Sequence, residues 1–394
     1  MPDDVSTDVP DPSDAPEPSD AHDAPDTPDA PAERARRLAD LDALRARGID
    51  PYPVRFDRDR TLSELRAEFG VLEAGVETEV AVRVAGRIML LRRQGKLTFA
   101  TIRDQDDSVQ LFVSRAVLGE EEHAAFDELD LGDWVGVEGT VMTTRKGELS
   151  VKVTGFQLLA KALRPLPDKW HGLSAVDTRF RQRYVDLIVN DDARRVFAVR
   201  FAAVASIRRS LAERGFVEVE TPVLEHELGG ATARPFHTHH NALDLDIFLR
   251  IALELHLKRL VVGGFERVFE IGRVFRNEGI DTSHNPEFTM LEAYQAFADY
   301  HDMMELTEHL VVEAARAALG TTVIQIRGES VDLAEPWPRA TMVDLIRQYV
   351  GVEMHPSMEV GAARTVLDGL GVTYHDAWGA GRCTHEVYDE LVEH

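Results

Sequence analysis

The chain has 394 residues, 44% of them hydrophobic, enough for two domains with cores of their own. Its net charge is −25, of which −11 falls in residues 1–33 and −14 in the rest, so bulk charge excludes a general polyanion binder and confines any RNA contact to local basic patches. A lone cysteine, Cys383, excludes an internal disulfide, and the sequence has neither an apolar run of membrane-spanning length nor a basic-then-apolar leader, so a cytoplasmic protein with no membrane partner is expected.

Residues 1–33 are rich in Asp, Pro and Ala, carry no Lys or Arg, and read as a disordered acidic tail. Residues 34–47 place Leu38, Leu41 and Leu44 on one stripe, and Gly48 is placed to end that helix. From about 80 to 159, five strand-like runs are separated by turn residues, with a helical piece at 116–129 between the third and fourth. That pattern predicts an OB-type barrel inside an N-terminal domain spanning 34–160. Phe99 and Gln110 lie on consecutive strands and Glu148 opens a later one. An exposed ring offers a base a stacking platform, and Gln and Glu can read its edge. From spacing alone, Phe99 in TFATI would be an ordinary core residue.

Residues 161–178 are proline-punctuated and read as a linker, after which 179–190 and 194–214 read as helices opening a second domain, 179–394. GFVEVETPVL, residues 215–224, is a helix–strand junction ending near Pro222. GGATARPFHTHHNALD, residues 229–244, starts with paired glycines that permit close backbone approach. Its His237, His239 and His240 lack a Cys or carboxylate set at ligand spacing, which speaks against a metal. RIALELHLKRL, residues 250–260, is a helix with Glu254 near its start.

The most informative stretch is FRNEGIDTSHNPEFTMLEAY, residues 275–294. Side chains of a strand alternate faces with period two. Arg276 and Glu278 are thus expected on one face of a strand covering 268–275, and residues 279–287 as a loop. A second strand over 288–294 presents Phe288, Glu292 and Tyr294 together. Antiparallel pairing would gather a guanidinium, two carboxylates, a ring and a phenol, a set that suits a phosphate or carboxylate beside a stacked base. Helical patterns follow at 301–319, 341–350, 360–370 and 384–394.

The words FRNEG and HNPEFTMLE resemble motif 2 of the class II aminoacyl-tRNA synthetases in its lysyl form, and the likeness to bacterial-type lysyl-tRNA synthetases runs from about residue 34 to the last. It implies an α+β fold, the barrel being followed by an incomplete antiparallel synthetase sheet flanked by helices. It implies activation of lysine by ATP to lysyl-adenylate and transfer to tRNA(Lys), Mg²⁺ with the ATP, and a homodimer through residues about 205–224. By the same resemblance, Arg276 bridges the α-phosphate and the lysine carboxylate as the catalytic group. Glu278, His284, Asn285 and Phe288 complete the ATP site. Gly230, Glu254, Glu292 and Tyr294 hold lysine, while Phe99, Gln110 and Glu148 take the central anticodon uridine.

This sequence departs from the family pattern with Leu253 where Pro is usual and His256 where Tyr is usual. It also stops at His394, before the third class II motif, so no metal ligand is assignable and full aminoacylation is not expected of it. The helices from 341 on resemble the start of the family's insertion between motifs 2 and 3. Two alternatives stay open: an aspartyl- or asparaginyl-type synthetase, and a non-catalytic anticodon-binding or regulatory protein derived from one. A lysine-activating relative that modifies an elongation factor lacks the barrel, so residues 80–159 count against it.

Overall fold

Residues 30–167, 173, 175–281 and 284–393 are described in a computed structural model. The tail expectation for residues 1–29 and part of the linker lie outside these. The chain divides into two compact units, up to Arg194 and from Arg195.

The first unit opens with α1 (Ala30–Ala46) and α2 (Leu62–Phe69). Helix α1 starts four residues earlier than its apolar stripe suggests, because Glu33 is tied to Arg36 and Arg37 in the next turn. Those hydrogen bonds hold the Glu33 carboxyl down at about 2. Strands β1 (Glu77–Gln94), β2 (Leu97–Arg103), β3 (Ser108–Ser114), β4 (Trp134–Thr143) and β5 (Leu149–Ala160) close into a barrel in the order β1-β2-β3-β5-β4, with α3 (Arg115–Leu118) and α4 (Glu120–Asp127) between β3 and β4. This is the predicted OB topology, five strands and an interposed helix. Strict alternation builds it: Val109, Leu111 and Val113 point inward and are fully buried, while Gln110 and Phe112 between them face out. Helices α5 (Val176–Arg181) and α6 (Arg183–Val189) follow. They break at Gln182, so 179–190 is not one helix, and α5 already begins inside the stretch read as linker. Asp186 is fully buried between the Arg179 and Arg183 guanidiniums and ties the two short helices together. Helix α7 (Asp191–Glu213) carries the division between the units.

In the second unit, β6 (Val217–Glu218), β7 (Leu224–Glu225), β8 (His237–His240), β9 (Leu245–Leu249) and α8 (Glu254–Val262) lead to the long pair β10 (Arg267–Phe275) and β11 (Glu287–Gln295). The sheet order is β11-β10-β6; β10 and β11 are antiparallel, whereas β6 is a two-residue strand parallel to β10. A second small sheet runs β7-β9-β8. Helix α9 (Tyr300–Leu319) is boxed at its start by Asp299 and Asp302 and closed by left-handed Gly320. The hairpin β12 (Val323–Ile326) and β13 (Glu329–Asp332) precedes α10 (Met342–Val350), α11 (Val360–Leu370) and α12 (Ala380–Leu391). These last helices share their own core of Ile346, Leu367, Cys383 and Val387, and α12 starts four residues before the expected 384.

Both faces of the β10–β11 pair are covered by apolar packing. Phe269, Ile271, Leu291 and Ala293 pack with Leu211 of α7 and Leu310 of α9. Val268, Val274, Phe288, Met290 and Tyr294 pack with Leu253 and Leu257 at α8.

The first unit also holds a buried charge cluster. Lys161 reaches Asp130 at 2.5 Å and Asp133 at 3.0 Å, with Lys161 2% and Asp133 0% exposed. Burial alone would raise the Asp130 carboxyl, yet hydrogen bonds from Lys161 and Arg36 hold it below its ordinary range. Lys161→Met leaves the fully buried Asp133 without its ion-pair partner, while Asp130 keeps Arg36, and is expected to cost about 3–5 kcal/mol. Urea unfolding of the barrel unit checks this, and a loss under about 1 kcal/mol would show the cluster to be solvated.

Candidate functional site

The second unit gathers its functional side chains through one register. Val274 is paired with Phe288, Gly272 with Met290, Glu270 with Glu292 and Val268 with Tyr294. Residues directly opposite point to the same side, so 268, 270, 272 and 274 share a face with 288, 290, 292 and 294. Arg276 continues that face, because its backbone N–H donates to the Pro286 carbonyl at 2.8 Å. The Arg276 guanidinium lies over the Phe288 ring at 5.2 Å, and its Nε–H donates to the Ile251 carbonyl at 3.4 Å.

The strand ends at Phe275. The Asn277 N–H donates to the Arg234 carbonyl on the side away from β11, as the Phe275 N–H does to the Arg250 carbonyl. Glu278 follows, exposed at a bend. Nearby, exposed His284 meets Asp281 through both its backbone N–H and its ring, and Asn285 is exposed beside it.

Deeper on the face, Tyr294 donates its hydroxyl to Glu292 Oε2 at 2.9 Å. The other oxygen, Oε1, accepts the Leu253 N–H at 3.0 Å, a donor that a proline at this position would lack. Helix α8 begins directly after, and Glu254 in its first turn pairs with exposed Lys258 at 2.6 Å. Gly230 has φ +82°, and a Cβ there would fall 2.8 Å from the Glu254 Cβ and 3.0 Å from the Ala252 Cβ. Only glycine fits, so the 229–230 backbone lies against the start of α8. His256 stands 3.4 Å from the buried Glu225, and burial pushes both groups toward their neutral forms.

Two residues to which the sequence assigns no part, Arg250 and Glu270, underlie this face. Glu270 and Glu292 are directly opposed. At an effective dielectric near 20, unit charges about 5 Å apart repel by about 3 kcal/mol. Glu270 is withdrawn from that conflict: Arg250 Nη1 lies 2.7 Å from its Oε1, and the Thr221 hydroxyl donates to its Oε2 at 2.6 Å. Both Arg250 and Glu270 are 3% exposed. The signal for Glu270 was present in the sequence, since alternation places it with Arg276.

On the barrel, Phe99 and Phe112 are cross-strand partners on the outer face, both half-buried, packed edge to face at 5.6 Å. Gln110 stands on the same face and accepts from the Ser150 hydroxyl at 3.1 Å. The same hydroxyl meets the Glu148 carbonyl at 3.1 Å. Glu148 is exposed in the turn before β5 and does not open the strand. The three expected residues thus cluster, and Phe112 joins them; the period-two pattern of SVQLFVS marks it.

Among the described residues, metal fitting is poor. His239 has Asp246 at 2.8 Å and Asp244 at 3.4 Å, yet the strand is exposed and no three-residue ligand set forms there. Among the described residues His385, Glu386 and Asp389 alone form such a set, and Arg382 already contacts the first two at 3.1 and 2.7 Å. In the pocket, the oxygens of Glu270 and Glu292 are taken by protein donors and Glu254 is held by Lys258. These residues do not fit a hard cation.

The family model for class II tRNA synthetases (D, K and N) matches residues 175–370, and that for the OB-fold nucleic acid binding domain matches 82–159. Barrel and motif face thus define a class II aminoacyl-tRNA synthetase with its anticodon-binding domain. Lysine–tRNA ligase of Enterococcus faecalis is 50% identical over 359 residues, covering 91% of this chain and 72% of the relative. Those of Prochlorococcus marinus and Moorella thermoacetica are 48% and 49% identical, again over 91% of this chain and 73% and 72% of theirs. The chain belongs to the lysine–tRNA ligases. The relatives separate it from the aspartyl and asparaginyl enzymes that share its family model. Among the described residues no helix is long and apolar enough to cross a membrane.

Burial, then hydrogen bonding to Glu292, pushes the Tyr294 phenol well above its ordinary value of about 10. It therefore stays a donor to Glu292, and the stability it adds is present below pH 10 and lost only as pH rises through the higher folded value. Ultraviolet titration of the parent minus Tyr294→Phe should show no phenolate signal from this residue at its ordinary value; ionisation there would mean the Glu292 contact is not made.

Proposed function

We propose that the β10–β11 face is the site where lysine is activated by ATP, and that Phe99, Gln110 and Glu148 read the central anticodon uridine of tRNA(Lys). The observation that carries the first part is the placing of Arg276 over Phe288 on the face that also holds Glu292 and Tyr294. In this reading a lysine carboxylate oxygen attacks the α-phosphorus of ATP. The new bond gives lysyl-adenylate as the α–β bridging bond breaks, and the electron pair leaves with pyrophosphate. No covalent enzyme group is needed; the work is orientation and charge stabilisation.

Arg276 spans the α-phosphate and the carboxylate, holding nucleophile and electrophile together while charge builds between them. Phe288 stacks on the purine, and Glu278 at the bend after β10 accepts from its amino group. His284 contacts the outer phosphates, and Asn285 shapes the loop. The Gly230 carbonyl takes the lysine amino group. Glu254, Glu292 and Tyr294 hold the side-chain ammonium, with Lys258 giving way to the substrate's own cation. The family implies Mg²⁺ with the ATP phosphates, but the side chains described above do not fit it.

Two copies are proposed to pair through residues about 205–224, where Val217, Val223 and Leu224 are exposed. A cytoplasmic place in translation follows from the reaction. Domain limits near 34–160 and 179–394 follow the same resemblance.

Two substitutions test the two halves separately. Arg276→Ala should weaken binding of a non-hydrolysable lysyl-adenylate mimic, a sulfamate in place of the phosphate, by about a hundredfold and leave RNA binding intact. Calorimetry that finds the mimic bound equally well would refute the activation site. Phe99→Ala should do the reverse. Base stacking is worth about 1–3 kcal/mol, so an anticodon stem-loop RNA should bind roughly tenfold more weakly. Equal affinity for stem-loops with a central uridine or adenosine would remove the anticodon assignment.

A further inference from the structure

We infer that Arg250 is a positioning residue for lysine activation, fixing the strand end that carries Arg276 and the helix start that carries Glu254 while keeping Glu270 out of the substrate pocket. This rests on the activation reading above. Arg250 is bound on every side by named partners. Its backbone N–H donates to the Val223 carbonyl at 2.9 Å, and its own carbonyl accepts from the Phe275 N–H at 2.9 Å. Its side-chain Nε–H donates to the Arg273 carbonyl at 2.8 Å, and Nη1 to the Thr221 carbonyl at 3.0 Å and the Thr221 hydroxyl at 3.1 Å.

These contacts tie three segments together: the end of the 215–224 stretch at Thr221–Val223, the C-terminal end of strand β10, and the chain entering α8. Each of the next residues then meets the pocket. The Ile251 carbonyl receives Arg276, the Leu253 N–H holds Glu292, and Glu254 begins the helix. A shift of residue 250 would therefore move the guanidinium and two carboxylates at once. The fold leaves space for this fork at Gly272, where a Cβ would fall 2.3 Å from Arg250 Nη2 and 2.9 Å from Glu270 Oε1. A glycine in mid-strand otherwise weakens a sheet, and here it marks the close approach of the clamp.

A planar five-donor fork spread over three nitrogens serves two carbonyls, a hydroxyl and a carboxylate here, four acceptors against the three N–H groups of an ammonium's single nitrogen. Arg250→Lys keeps a cation facing Glu270 but loses the shared grip on Arg273 and Thr221. The expected result is a melting temperature within a few degrees of the parent, with the lysyl-adenylate mimic bound about ten- to a hundredfold more weakly. Affinity for free lysine should fall less. The paired replacement Arg250→Met with Glu270→Met removes both buried charges and is expected to melt near the parent while binding the mimic no better than Arg250→Lys does.

Calorimetry and thermal melts on these variants, with Arg276→Ala alongside, separate the outcomes. Mimic affinity unchanged in Arg250→Lys, with Arg276→Ala defective, overturns the clamp and leaves the site standing. Recovery of both stability and affinity in the paired variant makes Arg250 a fold element only and also overturns it. Mimic binding indifferent to Arg276→Ala, or absent in the parent, sinks the activation reading and the clamp with it.

Discussion

The whole pocket hangs on the register of β10 against β11. Because strand side chains alternate, a slip of one residue would send Arg276, Phe288, Glu292 and Tyr294 to the opposite side. The register is fixed by two unlike apolar faces. One packs Phe269, Ile271, Leu291 and Ala293 with α7 and α9; the other packs Val268, Val274 and Met290 with α8. Neither set could exchange places without burying charge. The hydrophobic cores therefore specify where the polar groups stand.

Charge is then distributed by burial. Three carboxylates approach one face: Glu254, Glu270 and Glu292. The most buried, Glu270, is matched to a guanidinium and a hydroxyl. Glu292 is held only by neutral donors, a backbone N–H and a phenol, and keeps its charge free to meet a cation. Glu254 is paired with a lysine that is 57% exposed, a weak and exchangeable contact. In the proposed reading this ordering suits a substrate ammonium, because the two carboxylates that face it are held by neutral donors or by an exchangeable lysine rather than by a buried cation.

Much of this was legible in the sequence for physical reasons. Period-two alternation in FTMLEAY marks the motif face and five runs with an interposed helix mark the barrel, whereas the barrel face rested on the resemblance, since spacing alone made Phe99 a core residue. What failed were statements that needed backbone beyond a regular element. Glu278 lies past the strand end at Phe275, exposed at a bend where alternation no longer fixes a face. Glu148 lies in the turn next to its strand. The 179–190 segment broke at Gln182 because Asp186 gathers two arginines from separate short helices. Arg250 gave no signal at all: its partners at 221, 270 and 273 are distant in sequence and two of them are backbone carbonyls.

The most direct test is a crystal structure of the chain with the lysyl-adenylate mimic bound. The account predicts the purine against the Phe288 ring, the sulfamate within hydrogen-bonding distance of the Arg276 guanidinium, and the lysine ammonium between Glu254 and Glu292. A ligand seated on the other face of the β10–β11 pair, or with its sulfamate away from Arg276, would contradict it.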